Sequence, residues 1–410
     1  MSTVTAQLGV VDESASLPAV SGLPTYTAGP PSYLDLTFAS AHGLTAGLSY
    51  ITLTTGWTPS GYNGLILPVL SVGSSTTARV MLPSAVGAVT VAGTATKQVY
   101  GSGGTHSRFF KILKDGFKNP RSRLESDAIR AGSRVAPVGM FQPVRATGKG
   151  PLELLVEQRG FGFWLPHMVG GSITTTSLGS GAYKHTGELG SANGRSFAAQ
   201  INKPFRHGMP APFNYVGCKI SGWELSMTRG GLLAFKLDVV YQDATIGTLA
   251  TASFTAGLEP TSYAGSKLEV AGTAVPVRSW SVKFDAGLES DPTRIQQSDL
   301  GIEPTHDGDA SISVEYEADW TDVALRAYYM ATVRSSSYAA HTFTAQWPSV
   351  IGGSIYPSLV VSAPAVRLDG DDPDISGKTV LTQKLTGVVL DPETGSSPFT
   401  IEYTTADSTP

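Results

Sequence analysis

The chain has 410 residues, 41% hydrophobic and only 15% charged, with 46 Gly, 26 Pro and a formal net charge of −4. That length allows more than one core, while the slightly acidic balance excludes a general nucleic-acid binder, which needs a basic excess to hold phosphates. A single cysteine, Cys218, excludes an intrachain disulfide, and no apolar run reaches the ~18 residues a membrane helix needs.

Residues 1–31 are polar, rich in Pro and Gly and free of Lys and Arg, and read as an N-terminal extended arm. Met1-Ser2-Thr3-Val4 shows no basic start followed by an apolar stretch, so no secretory leader is expected. Residues 32–98 form a compositional island that reads as a small inserted β-module. Leu34-Asp35-Leu36-Thr37-Phe38 and Tyr50-Ile51-Thr52-Leu53-Thr54 alternate with period two, and Leu65–Val72, Ala78–Leu82 and Ala88–Ala92 are further candidate strands. Turn signals separate them, among them Asn63-Gly64, which favours a tight turn with positive φ.

A hinge, Gly101-Ser102-Gly103-Gly104, precedes a basic stretch containing Arg108, Lys111, Lys114, Lys118, Arg121 and Arg123. That stretch, 105–134, suits either a solvated loop or a contact arm reaching a neighbouring subunit. From about residue 135 strand patterns recur: Pro151–Glu157, Arg195–Ile201, Tyr215–Thr228 and Leu232–Tyr241. In the last, Leu233, Phe235, Leu237 and Val239 share one face and Ala234, Lys236 and Asp238 the other, with Gly230-Gly231 as the hairpin turn before it.

The second half restates the first. Gly148 through Glu157 aligns with Gly308 through Glu317; Phe161–Val169 answers to Asp319–Met330, where Trp320, Val323, Ala324, Ala327 and Tyr328 have helical spacing. Arg195–Gln200 answers to His341–Gln346, and the Trp223–Tyr241 hairpin to Val366–Leu390, whose turn carries Asp369, Asp371, Asp372 and Asp374. Strand, helix, strand and long hairpin thus occur twice, giving lobes of 99–250 and 251–410.

Catalytic signatures are missing from the sequence. There is no Gly-x-Ser-x-Gly elbow and no His-Glu-x-x-His, and the seven histidines are scattered. Thr147-Gly148-Lys149-Gly150 fails as a phosphate loop because Pro occupies 143 and 151. Asp369–Asp374 has the carboxylates a hard cation favours, but Pro373 interrupts it and it reads as an acidic turn. Neither an enzyme nor a cofactor or metal is expected.

Three phrases carry a family resemblance: Tyr215-Val216-Gly217-Cys218-Lys219-Ile220-Ser221-Gly222-Trp223-Glu224-Leu225-Ser226 with Gly230 through Val239; Glu125 through Gly132; and Val380 through Thr405. Together they resemble the tail-tube (major tail) proteins of long-tailed bacteriophages over about residues 105–410. The resemblance implies an all-β fold with short helices, built here as duplicated tail-tube β-sandwich or barrel lobes plus the inserted module as an outer decoration. It also implies a structural subunit that stacks in rings to form the channel for DNA ejection, in a virion tail assembled in the bacterial host cytoplasm. Its partners would be the chain itself, tape-measure, terminator and tip proteins, and DNA passing through the lumen without specific binding; no membrane is involved. The doubled lobe predicts homotrimeric, pseudo-hexameric rings, with a homohexamer as the alternative. The basic stretch falls where an inter-ring loop is expected, with the acids of 369–374 facing it, and Lys236 and Asp238 are expected on the lumen side of their hairpin. A glycan- or receptor-binding β-protein of a tail fibre or adhesin is the rival reading, favoured by the 32–98 module.

Overall fold

Period-two alternation dominates the chain, and the computed structural model turns it into sheet almost throughout. The structure describes residues 7–410 apart from 29–30, 47–48, 64, 83–85, 119–120, 127–140, 206–208, 290, 296–299, 321–323, 335–337, 371 and 374–379. After β1 (Leu8–Asp12) come β2 (Ser14–Ser16), β3 (Thr25–Thr27), β4 (Ser32–Thr37), β5 (Tyr50–Leu53), β6 (Ile66–Ser74), β7 (Thr77–Leu82) and β8 (Ala95–Gln98). Next are β9 (Arg108–Phe110), β10 (Ile112–Asp115), β11 (Arg121–Glu125), β12 (Phe141–Ala146) and β13 (Gly148–Leu155). Helix α1 (Trp164–Val169) leads to β14 (Gly170–Gly179), β15 (Ala182–Leu189), β16 (Phe197–Asn202), β17 (Pro212–Thr228), β18 (Ala234–Tyr241) and β19 (Asp243–Ile246). The remainder is β20 (Ser266–Val270), β21 (Thr273–Val275), β22 (Val277–Asp285), β23 (Ser311–Asp319), α2 (Ala324–Arg334), β24 (Ala339–Gln346), β25 (Ser358–Gly370), β26 (Thr382–Val389) and β27 (Thr400–Thr405). The fold is all-β and poor in helix, as expected.

Two hydrophobic cores are separate. Strands β2–β8 make a seven-stranded sheet in the order β2-β8-β5-β6-β7-β4-β3 around Leu34, Leu36, Ile51, Leu53, Trp57, Tyr62, Leu67 and Val80. Apart from the two-stranded β11–β12 ribbon, the other strands pack on the second core, which includes Trp164, Trp223, Phe235, Leu237, Tyr241, Trp280, Tyr316, Phe343, Trp347 and Tyr403. Full burial of each such side chain contributes roughly 1.5–3 kcal/mol, which offsets the entropy of ordering the strands.

The second core is built from one pairing plan used twice. In the first set β1 pairs with β9 and β16, β16 with β17, β17 with β18, β18 with β13, and β13 with β10, which continues β9 beyond the single residue Lys111. In the second set β20 pairs with β21 and β24, β24 with β25, β25 with β26, β26 with β23, and β23 with β22, which continues β21 beyond the single residue Pro276. Helix α1 occupies the β13–β16 connection and α2 the β23–β24 connection. Finally β19 pairs with the first part of β17, and β27 with the first part of β25.

What differs lies in the connections. The second set joins β20 to β21 through Ala271-Gly272, both with positive φ, the two-residue hairpin geometry. At the equivalent place the first set carries the whole seven-stranded sheet. The β14–β15 hairpin is present in the first set alone, and β15 pairs with β27 of the second. The sets are fused by β17 pairing with β22, from Gly222↔Asp285 to Thr228↔Ser279.

Several local expectations shift. Residues 8–12, read as part of a loose arm, are β1, with Leu8 and Val10 wholly buried, because an apolar Leu-Gly-Val-Val run finds two partner strands. Ala88–Ala92 is not a strand; Val91 makes one isolated bridge to Thr58, and the strand is β8, just downstream. Asn63 has φ −66 rather than a positive φ: it closes a 3-10 turn over Ser60–Tyr62, and its side-chain oxygen accepts from Trp57 N at 3.0 Å. Gly64 lies outside the described residues.

Candidate functional site

The pairings line up eight antiparallel strands in the order β10-β13-β18-β17-β22-β23-β26-β25. Alternation gives this sheet two unlike faces. Leu152, Leu154, Leu225, Phe235, Leu237, Val282, Val314, Tyr316 and Leu385 point into the core. In β18 and just before it, Leu233, Phe235, Leu237 and Val239 are buried as expected, while Lys236 and Asp238 are exposed.

Lys236 and Asp238 belong to a larger pattern. Across the register Glu153 lies opposite Lys236, Lys236 opposite Glu224, and Glu224 opposite Lys283. Lys114 reaches Glu153 at 3.3 Å, Lys283 lies 3.8 Å from Glu224 and 4.0 Å from Glu315, and Lys384 contacts Glu315 at 2.6 Å. Seven adjoining strands therefore carry Lys114, Glu153, Lys236, Glu224, Lys283, Glu315 and Lys384, a row of alternating sign. Lys384 donates to the Glu315 carboxylate and holds it below the usual carboxylate range. Around the row stand Ser221, Ser226, Ser279, Ser281, Ser313 and Thr386, with the acids Asp238, Asp285 and Glu317. Individually such exposed pairs add little stability. Lys114, Lys283 and Lys384 each meet an acid, and Lys236 lies in register between Glu153 and Glu224, so cations and acids alternate along the row. The sequence reading found two members of this face; strand parity in β13, β17, β22, β23 and β26 carries the signal for the others.

The basic stretch divides. Arg108, Lys111 and Lys114 lie in or between β9 and β10, tied within the chain: Arg108 donates to Pro410 O at 2.8 Å, and Lys111 to Glu157 at 2.9 Å. Lys118 follows β10, its backbone N donating to the Tyr241 hydroxyl at 2.8 Å, with its side chain exposed. Arg121 and Arg123 begin the two-stranded β11–β12 ribbon; every residue of β11 is exposed, and Arg121 meets Asp243 at 3.2 Å. Of the expected arm 105–134, residues 119–120 and 127–134 lie outside the described residues. In the acidic group, Asp369 is exposed near the end of β25, 3.7 Å from Arg367. Asp372 takes Arg326 of α2 in a two-pronged contact at 2.6 and 3.1 Å, which lowers its carboxyl pKa. Asp371 and Asp374 lie outside the described residues. Among the described residues no cluster of three His, Cys, Asp or Glu could hold a metal ion.

Two buried charges went unread in the sequence. Glu13 lies between β1 and β2, fully buried; its carboxylate accepts from Gly101 N, Gly103 N, Gly217 N and the Ser196 hydroxyl at 2.7–3.0 Å. It pins both ends of the seven-stranded insert to β17, and burial raises its pKa despite those donors. Lys219, 1% exposed, donates to Glu303 at 2.7 Å and to Pro304 O at 3.1 Å, binding the β22–β23 connection of the second set to the first. Its pKa is lowered by burial, against the pull of Glu303. Cys218 beside it is wholly buried, and burial pushes its thiol up, which makes it a core residue and not a nucleophile.

Comparison with known proteins gives one family. A family model described as phage tail tube protein matches residues 74–389. No curated protein matches the chain.

Proposed function

This chain belongs to the phage tail tube protein family, a structural and non-enzymatic group, and we propose that it closes laterally into three-chain rings that stack as the DNA channel of a phage tail. The observation that carries the reading is the eight-stranded sheet, in which β17 of one strand set adds to β22 of an equivalent set. One chain then supplies two of six like units around an axis, and each set would roll into a barrel-like lobe with its charged face toward the lumen. Closing the sheet around a ring removes its exposed edges. The row of alternating charges, with acids and hydroxyls standing around it, would let phosphates pass without being held. The seven-stranded insert would stand on the outer surface, and tape-measure and terminator proteins would be the axial partners. The β11–β12 ribbon and the acids near Asp369 and Asp372 would make contacts between subunits.

Electron microscopy of the purified protein, with mass measurement of single rings, tests this. Hollow tubes with three chains per ring are expected. Six chains per ring would overturn the doubled-lobe count, and a protein that stays monomeric at high concentration would overturn the tube itself.

A further inference from the structure

The two strand sets match residue by residue along their pairings. The hairpins closed by Val10↔Arg108 and Val270↔Thr273 are equivalent, so Leu8 matches Leu268. Leu8 lies opposite Ile201 and Leu268 opposite Phe343; Ile201 lies opposite Phe213 and Phe343 opposite Val361; Phe213 lies opposite Ile246 and Val361 opposite Ile401. Ile246 of β19 therefore matches Ile401 of β27. Six residues beyond Phe213 and Val361, Lys219 matches Arg367; their partners Val240 and Val388 lie opposite Lys149 and Ser313. Seven residues further on, Val156 matches Trp320, and the two make the same backbone bond, Val156 N to Leu233 O and Trp320 N to Leu381 O. Glu153 then matches Glu317, four residues beyond the Ser313 that the aligned segments give.

Matched residues are unequally buried. Ile401 and Tyr403 are wholly buried, whereas Ile246 is 67% exposed and Thr245, Gly247 and Thr248 beside it are exposed. Val156 is wholly buried, whereas Trp320 is half-buried. Five of the six residues of α1 are buried, and none of residues 325–331 in α2 is. The buried members share one cause, because β27 of the second set packs on the first set just after β13. The Tyr403 hydroxyl donates to Glu157 O at 3.0 Å, the Thr405 hydroxyl donates to Gln158 O at 2.9 Å, and the Tyr403 and Phe161 rings lie 5.7 Å apart. The exposed members are the two unused halves of that contact, one on each set.

We infer that Trp320 and the exposed side of α2 in one copy of this chain pack over β19 of a second copy, with Ile246 at the centre of the contact. The inference rests on the ring reading above and adds to it the two surfaces that meet. They are different surfaces of one chain, so the contact runs head to tail and propagates until a ring closes. It departs from the contact within the chain in one respect. The β14–β15 hairpin, which covers the outer edge of β27, has no counterpart in the second set. Helix α2 has eleven residues to the six of α1, and this longer helix supplies the cover for β19. Trp320 and Ile246 are the large apolar side chains that such a contact buries at its centre.

The variant Ile246→Cys, labelled with a benzophenone maleimide, tests the contact, since the native Cys218 is buried and stays unlabelled. Labelled chain is mixed with an excess of unmodified chain, assembled into tubes and irradiated. Adducts between chains are expected, with mass spectrometry placing the acceptor within residues 320–334. In tubes that form normally, adducts on other parts of the neighbouring chain, or none between chains, would overturn this contact while leaving the tube reading in place. Ile246→Glu is expected to keep the unfolding temperature of the unmodified chain and to raise the concentration needed for tube formation about tenfold or more. Leu70→Glu, at an exposed position of the insert, is expected to leave that concentration unchanged. Assembly of Ile246→Glu at the unmodified chain's concentration would likewise overturn the contact. Failure of the unmodified chain to form tubes would overturn both readings.

Discussion

Glu13 shows how one side chain can set the attachment of a whole insert. Four donors converge on its carboxylate, three of them backbone groups. Glu13→Ala removes their acceptor, leaving Gly217 N and the Ser196 hydroxyl buried without it, at a cost of about 3 kcal/mol, and Glu13→Gln, which keeps one acceptor oxygen, should cost less. Thermal unfolding should rank the variants in that order, with faster proteolysis between residues 99 and 107 in the alanine form. His341 is the corresponding case for pH. It is fully buried in β24; its Nδ1 donates to Ala339 O and its Nε2 accepts from the Tyr316 hydroxyl. Burial drives its pKa from 6.5 down to about 4. The folded state thus favours the neutral ring, so this stability is complete above pH 6.5 and is lost as the pH falls towards 4. That amounts to about 3 kcal/mol over the interval. His341→Gln should flatten this part of a denaturant-midpoint profile against pH.

At the scale of elements, the two strand sets differ mainly where chain can be added without disturbing a pairing. Val10↔Arg108 and Val270↔Thr273 close equivalent hairpins, one through the seven-stranded insert and the other through two residues. Surface insertions at such a place cost little closure entropy. Replacing residues 11–107 with an Ala-Gly turn should therefore leave a chain that still forms tubes, with a smaller outer diameter by electron microscopy. Aggregation of that variant would show that the insert is needed to fold the first set. The strands themselves were legible where alternation was strict, as in Ala234–Tyr241 and Ser311–Asp319. They were not legible in Gly170–Gly179, whose threonines and serines are as common in loops as in strands, nor in Leu8–Asp12, a short run inside a polar segment.

For the whole molecule, the internal repeat was visible as two loosely aligned series of segments, and the topology gives it six matched pairings and a matched helix position. The sequence by itself determined the all-β class, the inward face of β18 and the likeness to tail-tube proteins. These depend on local alternation, composition and short phrases that a chain carries in one dimension. Only the tertiary structure decided that Leu8–Asp12 closes the first set, that β17 adds to β22, and that Lys114, Glu153, Lys236, Glu224, Lys283, Glu315 and Lys384 form one row. Each of those depends on register between strands far apart in sequence, and register is settled by which edges remain to be paired once the two cores have packed.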